Sequence, residues 1–186
     1  MNTLKEYDVL RLIEHNQICY VSSDNRRGCP LAKWMKYHPY ISKDRMLRWI
    51  DQISNQLMQI HKCRGNPGYQ YVSPYTMIVL EEGEISFLDV NADSNQEMIR
   101  AAGRKNIKEH FLPIGNEHWT VEELELYGFG KTIQYLLNFT EVVPTFSKAE
   151  ERVLRKMISG CIHENPKKRF HKISDVRKSI IKLRQK

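Results

Sequence analysis

Cysteine and histidine are the side chains that most often hold metal ions, and the chain has four cysteines and seven histidines. The cysteines, Cys19, Cys29, Cys63 and Cys161, lie far apart and form no C-x-x-C pair, and no two histidines have H-x-x-x-H spacing. Structural zinc sites are built from such close pairs. We therefore expect four free thiols, as in a reducing cytoplasm, and we predict no metal site and no cofactor.

Acidic side chains are the other candidates for chemistry. Asp89 follows a predicted strand, and the loop before that strand carries Glu81, Glu82 and Glu84. Magnesium is usually held by carboxylates together with substrate phosphates, and a run of charges in a loop is typically solvated. We interpret Asp89 as a strand-end residue with backbone contacts and the three glutamates as a solvated turn.

The net charge of +7 is concentrated at the C-terminal end of the chain. From Lys167 to Lys186 nine residues are basic and one, Asp175, is acidic. The cations that could contact a partner are Lys167, Lys168, Arg177, Lys178, Lys182 and Arg184. Two interpretations stay open. Either the cations face water while Val176, Ile180 and Leu183 pack inward, or they dock on an anionic membrane. Nucleic-acid binding is not predicted, because no stacking aromatic side chains accompany the cations.

Helical patterns dominate the rest of the chain. Apolar residues at alternating steps of four and three predict a helix of about five turns from Ser42 to near His61. These residues are Met46, Ile50, Ile53, Leu57 and Ile60. Capping boxes at Thr120–Glu123 and Ser147–Glu150 predict two further helices, and Ser174 is predicted to cap a last one. Gly128 and Gly130 inside the helix after Thr120 predict a closely packed neighbour.

Strand patterns are fewer. The runs Met77–Leu80 and Ile85–Leu88 around a glycine-containing loop predict a β-hairpin. Ile18–Val21 predicts a short strand followed by a loop over Ser22–Gly28. The first residues, from a capping-box pattern at Thr3 through Ile13, predict an amphipathic helix. Because helices and strands do not alternate, we expect a mostly helical α+β domain in one compact unit.

Several motifs follow one another along the chain in the order found in protein kinases, and they resemble the C-terminal lobe of a kinase related to the bacterial Ser/Thr kinases. The sequence YQYVSPYTMIVL resembles the catalytic loop and the strand after it, and Asp89-Val90-Asn91 stands where D-F-G would. The resemblance therefore implies that Asp89 is at most a vestigial metal ligand. The sequence ELYGFGKTIQYLLN resembles the central helix of the lobe, and CIHENPKKRF resembles the turn between its last helices. Upstream, TLKEYDVLRLIEHNQI resembles kinase helix C, and CYVSSDNRRGCPLAKWM resembles the hinge strand and its following helix.

The resemblance implies a kinase C-lobe-like helical domain with a β-hairpin over residues 31–186. It implies that residues 1–30 are a vestigial N-lobe, consisting of helix C with Glu6 at its acidic position and about one strand. It also implies that Arg169 pairs with a buried glutamate, for which Glu117 or Glu125 is the expected partner.

The residues for phosphoryl transfer are missing at the matching positions. Tyr69 and Gln70 replace the His-Arg pair, and Tyr71 replaces the catalytic aspartate. Ser73 replaces the loop lysine, and Thr76 replaces the metal-binding asparagine. A tyrosine side chain cannot accept a proton near neutral pH. No glycine-rich loop and no strand with a phosphate-binding lysine precede these motifs. The resemblance thus implies a pseudokinase.

We expect this pseudokinase to act as a scaffold or regulatory protein-interaction module. One alternative is an atypical phosphotransferase that a partner or second subunit completes. Another is a cytoplasmic, membrane-proximal module that uses its basic C-terminal helix, if the natural protein continues past Lys186 into a membrane helix. No apolar run approaches the about 20 residues that span a bilayer, so the expected location is cytoplasmic, with membrane association as the variant.

Aromatic residues around the predicted hinge are the candidates for an interaction surface. Trp34, Tyr37 and Tyr40 lie close together in the chain, and Trp49 follows in the predicted long helix. We expect Trp49 to pack in the core. For Trp34, Tyr37 and Tyr40 two roles stay open: packing over the face that a missing N-lobe exposes, or binding there to a partner protein or a second copy.

Overall fold

The computed structural model describes residues 4–63, 69 and 71–185. In chain order, the strands and α-helices are β1 (Lys5–His15), β2 (Ile18–Pro30), α1 (Leu31–Tyr37), β3 (Tyr40–Ser42), α2 (Lys43–Lys62), β4 (Met77–Leu80), β5 (Ile85–Phe87), α3 (Gln96–Ala102), α4 (Lys105–Phe111), α5 (Val121–Phe139), β6 (Glu141–Val143), α6 (Lys148–Ile162) and α7 (Ile173–Arg184). The protein is a mostly helical α+β domain with an antiparallel sheet, as its sequence predicts.

The N-terminal segment is a β-hairpin, so the helix C-like helix predicted there is wrong. Strand β1 pairs with β2 in antiparallel register from Lys5 opposite Gly28 to His15 opposite Ile18. Asn16 and Gln17 make the connection with φ of 50° and 62°, the left-handed conformations of a tight hairpin turn. The loop predicted over 22–28 is also wrong, since β2 runs to Pro30.

The helix prediction failed because the apolar residues of this segment fit either period. Their spacing in the sequence is compatible both with one face of a helix and with the two faces of a strand. These residues are Val9, Leu10, Leu12 and Ile13. In the structure Val9 is buried on one face of the sheet, whereas Leu10 and Leu12 pack against the main core from the other. Glu6 is an exposed strand residue, and the predicted cap, Thr3, lies outside the described residues.

The main sheet has the strand order β1-β2-β4-β5. Strands β4 and β5 form the hairpin that the sequence predicts, and a bridge from Val9 to Leu88 draws β1 towards the end of β5. Helix α2 supports this hairpin through hydrogen bonds. Trp49 Nε1 donates to the carbonyl of Gly83 at 2.9 Å, and Gln56 Nε2 donates to the carbonyl of Ile85 at 2.8 Å.

The helical core follows the predicted pattern. The five apolar residues that predict α2 are all buried, and so is Trp49. Reciprocal capping boxes begin α5 at Thr120 and α6 at Ser147, as predicted. Helix α7 begins two residues earlier than its sequence suggests, because Lys172, rather than Ser174, is at the N-cap and Ile173 is already helical.

Two of the four cysteines form a disulfide, which corrects the prediction of four free thiols. Cys19 of β2 is bonded to Cys63, just after α2, with the two Cα atoms 4.8 Å apart. The two cysteines are separated by 44 residues in the chain, and no local sequence pattern predicts their bond. The hairpin that brings Cys19 to α2 was itself not predicted. Cys29 and Cys161 are buried. Within the described ranges, no helix is both long and apolar enough to cross a membrane.

Candidate functional site

The loop before β4 is held in place by a buried carboxylate from α5. Glu125 accepts a hydrogen bond from the backbone N–H of Tyr69 and pairs with Nε2 of His61 at the end of α2. The Tyr69 ring is buried against Phe87 with a centroid distance of 4.5 Å. One side chain thus joins two helices to the start of the loop.

Close packing against α5 fixes the next part of the loop. A Cβ atom at Gly128 would lie 2.5 Å from the Val72 carbonyl oxygen and 2.9 Å from the Val72 Cβ. Only glycine allows the loop to lie this close to the helix. The neighbour that the helix glycines predict is therefore present, and at Gly128 that neighbour is the loop itself.

The hydroxyl groups of the loop are bonded within it. Ser73 and Thr76 are buried with their side-chain oxygens 3.2 Å apart. Thr76 Oγ1 donates to the Tyr71 carbonyl, and the Tyr75 N–H donates to Ser73 Oγ at 3.3 Å. Tyr71 is exposed, and Gln70 lies outside the described residues. The described part of this loop therefore offers one exposed phenol and no carboxylate.

Asp89 makes the backbone contacts predicted for it. Its N–H donates to the Asp8 carbonyl at 2.9 Å, and its carboxylate accepts the Asn91 N–H at 3.0 Å. The Asp8 carboxylate accepts from Ser94 and Asn25. Across residues 4–63, 69 and 71–185, no three His, Cys, Asp or Glu side chains are grouped so as to hold a metal ion.

A pocket of about 270 Å³ opens between this loop and helices α3 and α4. Its wall is mostly apolar and includes Val72, Ile107, Phe111 and Leu124. Tyr71, Ser73, Lys108 and Asn116 supply polar groups at its lining. A cavity of this size and polarity can accept one apolar side chain with a hydrogen bond at its rim.

Arg169 has a different partner from the two glutamates expected. Its Nη2 donates to Glu123 at 3.1 Å, and the ring of Trp119 lies 3.6 Å from the guanidinium carbon. His171 also bonds to Glu123. The expectation of Glu117 or Glu125 is wrong, since Glu125 is engaged by His61. The capping box that begins at Thr120 predicts that Glu123 caps the helix. No pattern in the sequence predicts that Glu123 also binds Arg169.

The charge state of Glu123 follows from this cluster. Burial by itself raises the pKa of the Glu123 carboxyl. Hydrogen bonds from His171 and from the Thr120 backbone, with the charge of Arg169, outweigh that effect and lower its pKa below the ordinary value. The carboxylate is therefore ionised and paired at neutral pH.

The three aromatic interaction candidates fall into two groups. Trp34 is only 7% exposed, because its ring stacks on His38 and meets Trp49 edge to face. Tyr37 and Tyr40 are exposed, and Tyr40 is 63% exposed. Trp34 thus packs in the core, which leaves the two tyrosines as surface residues.

Two further exposed apolar side chains belong to β6, which pairs with β3, and to the end of α5 just before β6. Strand β3 pairs with β6 in parallel, and Ser42 lies opposite Val143, which is exposed on β6. Phe139, at the end of α5, is also exposed. We refer to Tyr37, Tyr40, Phe139 and Val143 as the aromatic surface. The sequence does not predict that Phe139 and Val143 lie on the surface, because each continues an apolar run of the core.

The basic C-terminal residues are also divided. Arg177 and Arg184 both form ion pairs with Asp51 of α2, while Lys167, Lys168, Lys178 and Lys182 are exposed. Val176, Ile180 and Leu183 are buried, as the inward-packing interpretation predicts. Lys178 also pairs with Asp175 on its own helix, so three of the six cations named for a partner form ion pairs within the protein.

Comparisons with known proteins give a likeness of fold. No family model matches the chain, and no curated protein matches it. Among solved structures, one named PpkA-294 apo form aligns with a TM-score of 0.62 at 18% sequence identity. The alignment covers 92% of this chain and 66% of that one, so the chain spans about two thirds of that structure. At this identity the chain is similar to that structure in fold alone.

Proposed function

We propose that the protein is a kinase-like protein without phosphotransferase activity that serves as a protein-interaction module. The observation that carries this proposal is the loop before β4. Where the resemblance to kinases places the catalytic aspartate, the chain has Tyr71, and the hydroxyls of Ser73 and Thr76 are bonded to their own loop.

The fold likeness supports the kinase-like part of the proposal. The neighbouring solved structure is a bacterial Ser/Thr kinase fragment, and its likeness extends over nearly the whole of this chain. The same elements follow one another as the motifs require: α2, the loop, the β4–β5 hairpin with Asp89 after it, and then α5 with its glycines. In this interpretation the β1–β2 hairpin is what remains of the smaller lobe.

The electrostatics of the loop support the absence of catalysis. Phosphoryl transfer depends on a base that orients the attacking hydroxyl and on paired ligands for magnesium. Burial raises the pKa of Tyr69 far above its usual value, so this residue cannot replace a base. One carboxylate oxygen of Asp89 accepts a hydrogen bond from the Asn91 N–H. The described part of the loop before β4 supplies no second carboxylate to bind magnesium with it.

The aromatic surface supports the interaction part of the proposal. Exposed aromatic residues are enriched where proteins bind one another, and Tyr37, Tyr40 and Phe139 supply three of them. Neither tyrosine belongs to the core, because both are exposed, whereas Trp34 and Trp49 are buried and contact each other. A partner protein with an apolar patch is the kind of ligand that this surface fits.

The catalytic half of the proposal is tested by incubation with γ-labelled ATP, magnesium or manganese, and a generic protein substrate. We expect no label in the substrate or in the chain itself above a blank without protein. Asp89→Ala is the matched control and should give the same blank. Labelling by the natural chain that disappears in Asp89→Ala would overturn the proposal.

The interaction half is tested by the double variant Tyr40→Ser/Phe139→Ser. A partner recovered with the natural chain from the source cells should be lost with this variant. Ile114→Ser is the matched control, because Ile114 is an exposed apolar residue outside the aromatic surface. If both variants retain the partner equally, the aromatic surface is not its binding site.

A further inference from the structure

Strand β2 is much longer than the strand that pairs with it on its second side. Its first side is paired with β1 from Ile18 to Gly28. Its second side pairs with β4 only through Gly28, Cys29 and Pro30. The remainder, from Ile18 to Arg27, is an exposed ribbon whose second edge has no strand beside it in the described part of the chain.

Two hydrogen bonds identify which backbone groups point away from β1. Asp8 lies opposite Asn25, and its carbonyl accepts the Asp89 N–H, so the peptide groups of this pair point outward rather than at each other. Further along β2, the Arg27 carbonyl accepts the Glu81 N–H at 3.0 Å. Since backbone groups alternate with a period of two residues, those of Val21 and Ser23 also point outward.

No group in the described ranges bonds to these outward-pointing positions. Neither backbone nor side-chain hydrogen bonds reach the outer N–H and C=O groups of Cys19, Val21, Ser23 and Asn25. We call these four residues the free edge. An unpaired row of this kind accepts an extended backbone, because only another strand matches its alternating donors and acceptors.

The free edge lacks the features by which proteins usually protect such edges. Lysine, proline and bulges are the common means, and none of the residues from Cys19 to Asn25 is a lysine or a proline. Asp24 is the single charged residue in this stretch. On the same ribbon Ile18, Tyr20 and Val21 are exposed, so a strand added there would also cover apolar side chains.

We propose that the free edge pairs with the same edge of a second copy of this chain, antiparallel and about a two-fold axis at Ser22. An edge of this kind is its own complement under a two-fold axis. This register is the one that engages all four free-edge residues of both copies. Val21 then lies opposite Ser23 of the second copy, and Cys19 opposite Asn25.

The charges of the ribbon fit this register. Asp24 lies opposite Tyr20 of the second copy, whose hydroxyl can donate to it, and Arg26 lies opposite Ile18. No two like charges are directly opposite, whereas an axis at Asp24 would place two carboxylates together, which is destabilising. The dimer goes beyond the proposed function and does not depend on it, because the free edge lies on the hairpin rather than on the loop before β4.

Sedimentation equilibrium over a range of concentrations tests the dimer. Strand pairing alone buries less than a standard interface of about 1,600 Å², so we expect half of the chains to be dimeric at about 100 μM. Ser23→Pro removes an outward N–H without touching the β1 ladder and should leave the protein monomeric. Ser23→Ala keeps that N–H and should dimerise like the natural chain.

Cross-linking tests the register of the strand pairing. Its result does not depend on whether the proline variant folds. The axis places Ser22 opposite itself in a non-hydrogen-bonded pair, where Cα atoms are about 4.5 Å apart, within disulfide range. Ser22→Cys should therefore form a linked dimer under mild oxidation much faster than Ser23→Cys. Each of three results would overturn the proposal. The natural chain could stay monomeric at about 500 μM, or Ser23→Pro could dimerise as strongly as Ser23→Ala. The third result is equal cross-linking of the two cysteine variants.

Discussion

Arg169 and Glu123 form an ion pair inside the protein, with 3.1 Å between the joined atoms and side chains that are 3% and 6% exposed. The pair ties the first turn of α5 to the segment before α7. The Trp119 ring covers the guanidinium, and Nη1 of Arg169 donates to the carbonyls of His163 and Glu164. The cluster therefore fixes three parts of the chain with one arginine.

Removal of Arg169 alone should be strongly destabilising. Arg169→Met leaves the Glu123 carboxylate buried beside an apolar chain, and we expect the free energy of unfolding in urea to fall by about 3–5 kcal/mol. The double variant Arg169→Met/Glu123→Gln also removes the buried charge that Arg169 no longer pairs with, and it should recover part of this loss. A loss below about 1 kcal/mol in the single variant would mean that the pair behaves like an exposed one.

His61 should make the stability depend on pH above neutrality. The hydrogen bond to Glu125 raises the pKa of His61 above its ordinary value of 6.5, against the effect of burial. A group with a higher pKa in the folded protein binds more protons there, so its contribution is complete below pH 6.5 and is lost as the pH rises through the raised pKa. Burial raises the pKa of Glu125, which acts in the same direction.

The measurement is the free energy of unfolding in urea from pH 6 to 8.5 for the natural chain and for His61→Gln. We expect the stability of the natural chain to decline across this range and the variant to show a flatter curve. The variant should also be less stable at pH 6, because Glu125 loses its charged partner. Two curves of equal slope would assign the pH dependence to other groups.

Trp34 and Tyr40 should differ sharply when each is replaced by alanine. Trp34 packs against Trp49 in the core, so Trp34→Ala should cost about 3–5 kcal/mol in thermal or urea unfolding. Tyr40 is exposed, and Tyr40→Ala should change stability by no more than about 0.5 kcal/mol. A large loss at Tyr40 would show that the aromatic surface is structural instead of available to a partner.

The sequence predicts best those elements whose signals are local. The apolar spacing from Met46 to Ile60 fits a helix and no other structure, and the capping boxes at Thr120 and Ser147 each fix a helix start within one turn. The β4–β5 hairpin follows from two apolar runs around Gly83, which has φ of 92°. These elements position the loop before β4, and so the placement of the candidate site was predictable.

The features that were not predicted depend on contacts between distant parts of the chain. The first strand has an apolar pattern that a helix could also use, and its pairing with β2 decides between the two. The Cys19–Cys63 disulfide depends on that pairing. Glu123 was identified as a capping residue, but three glutamates lie within four residues of one another. Only the contact between the first turn of α5 and the segment before α7 selects the partner of Arg169.

The central proposal, a kinase-like protein without phosphotransfer chemistry, is tested most directly by the melting temperature with and without 10 mM Mg·ATP. A ligand present at 100 times its dissociation constant stabilises a protein by about 2.7 kcal/mol, a shift of about 5–10 °C for a chain of this size. We predict a shift of less than about 1 °C, equal in the natural chain and in Asp89→Ala. A shift of several degrees in the natural chain that Asp89→Ala abolishes would contradict the account.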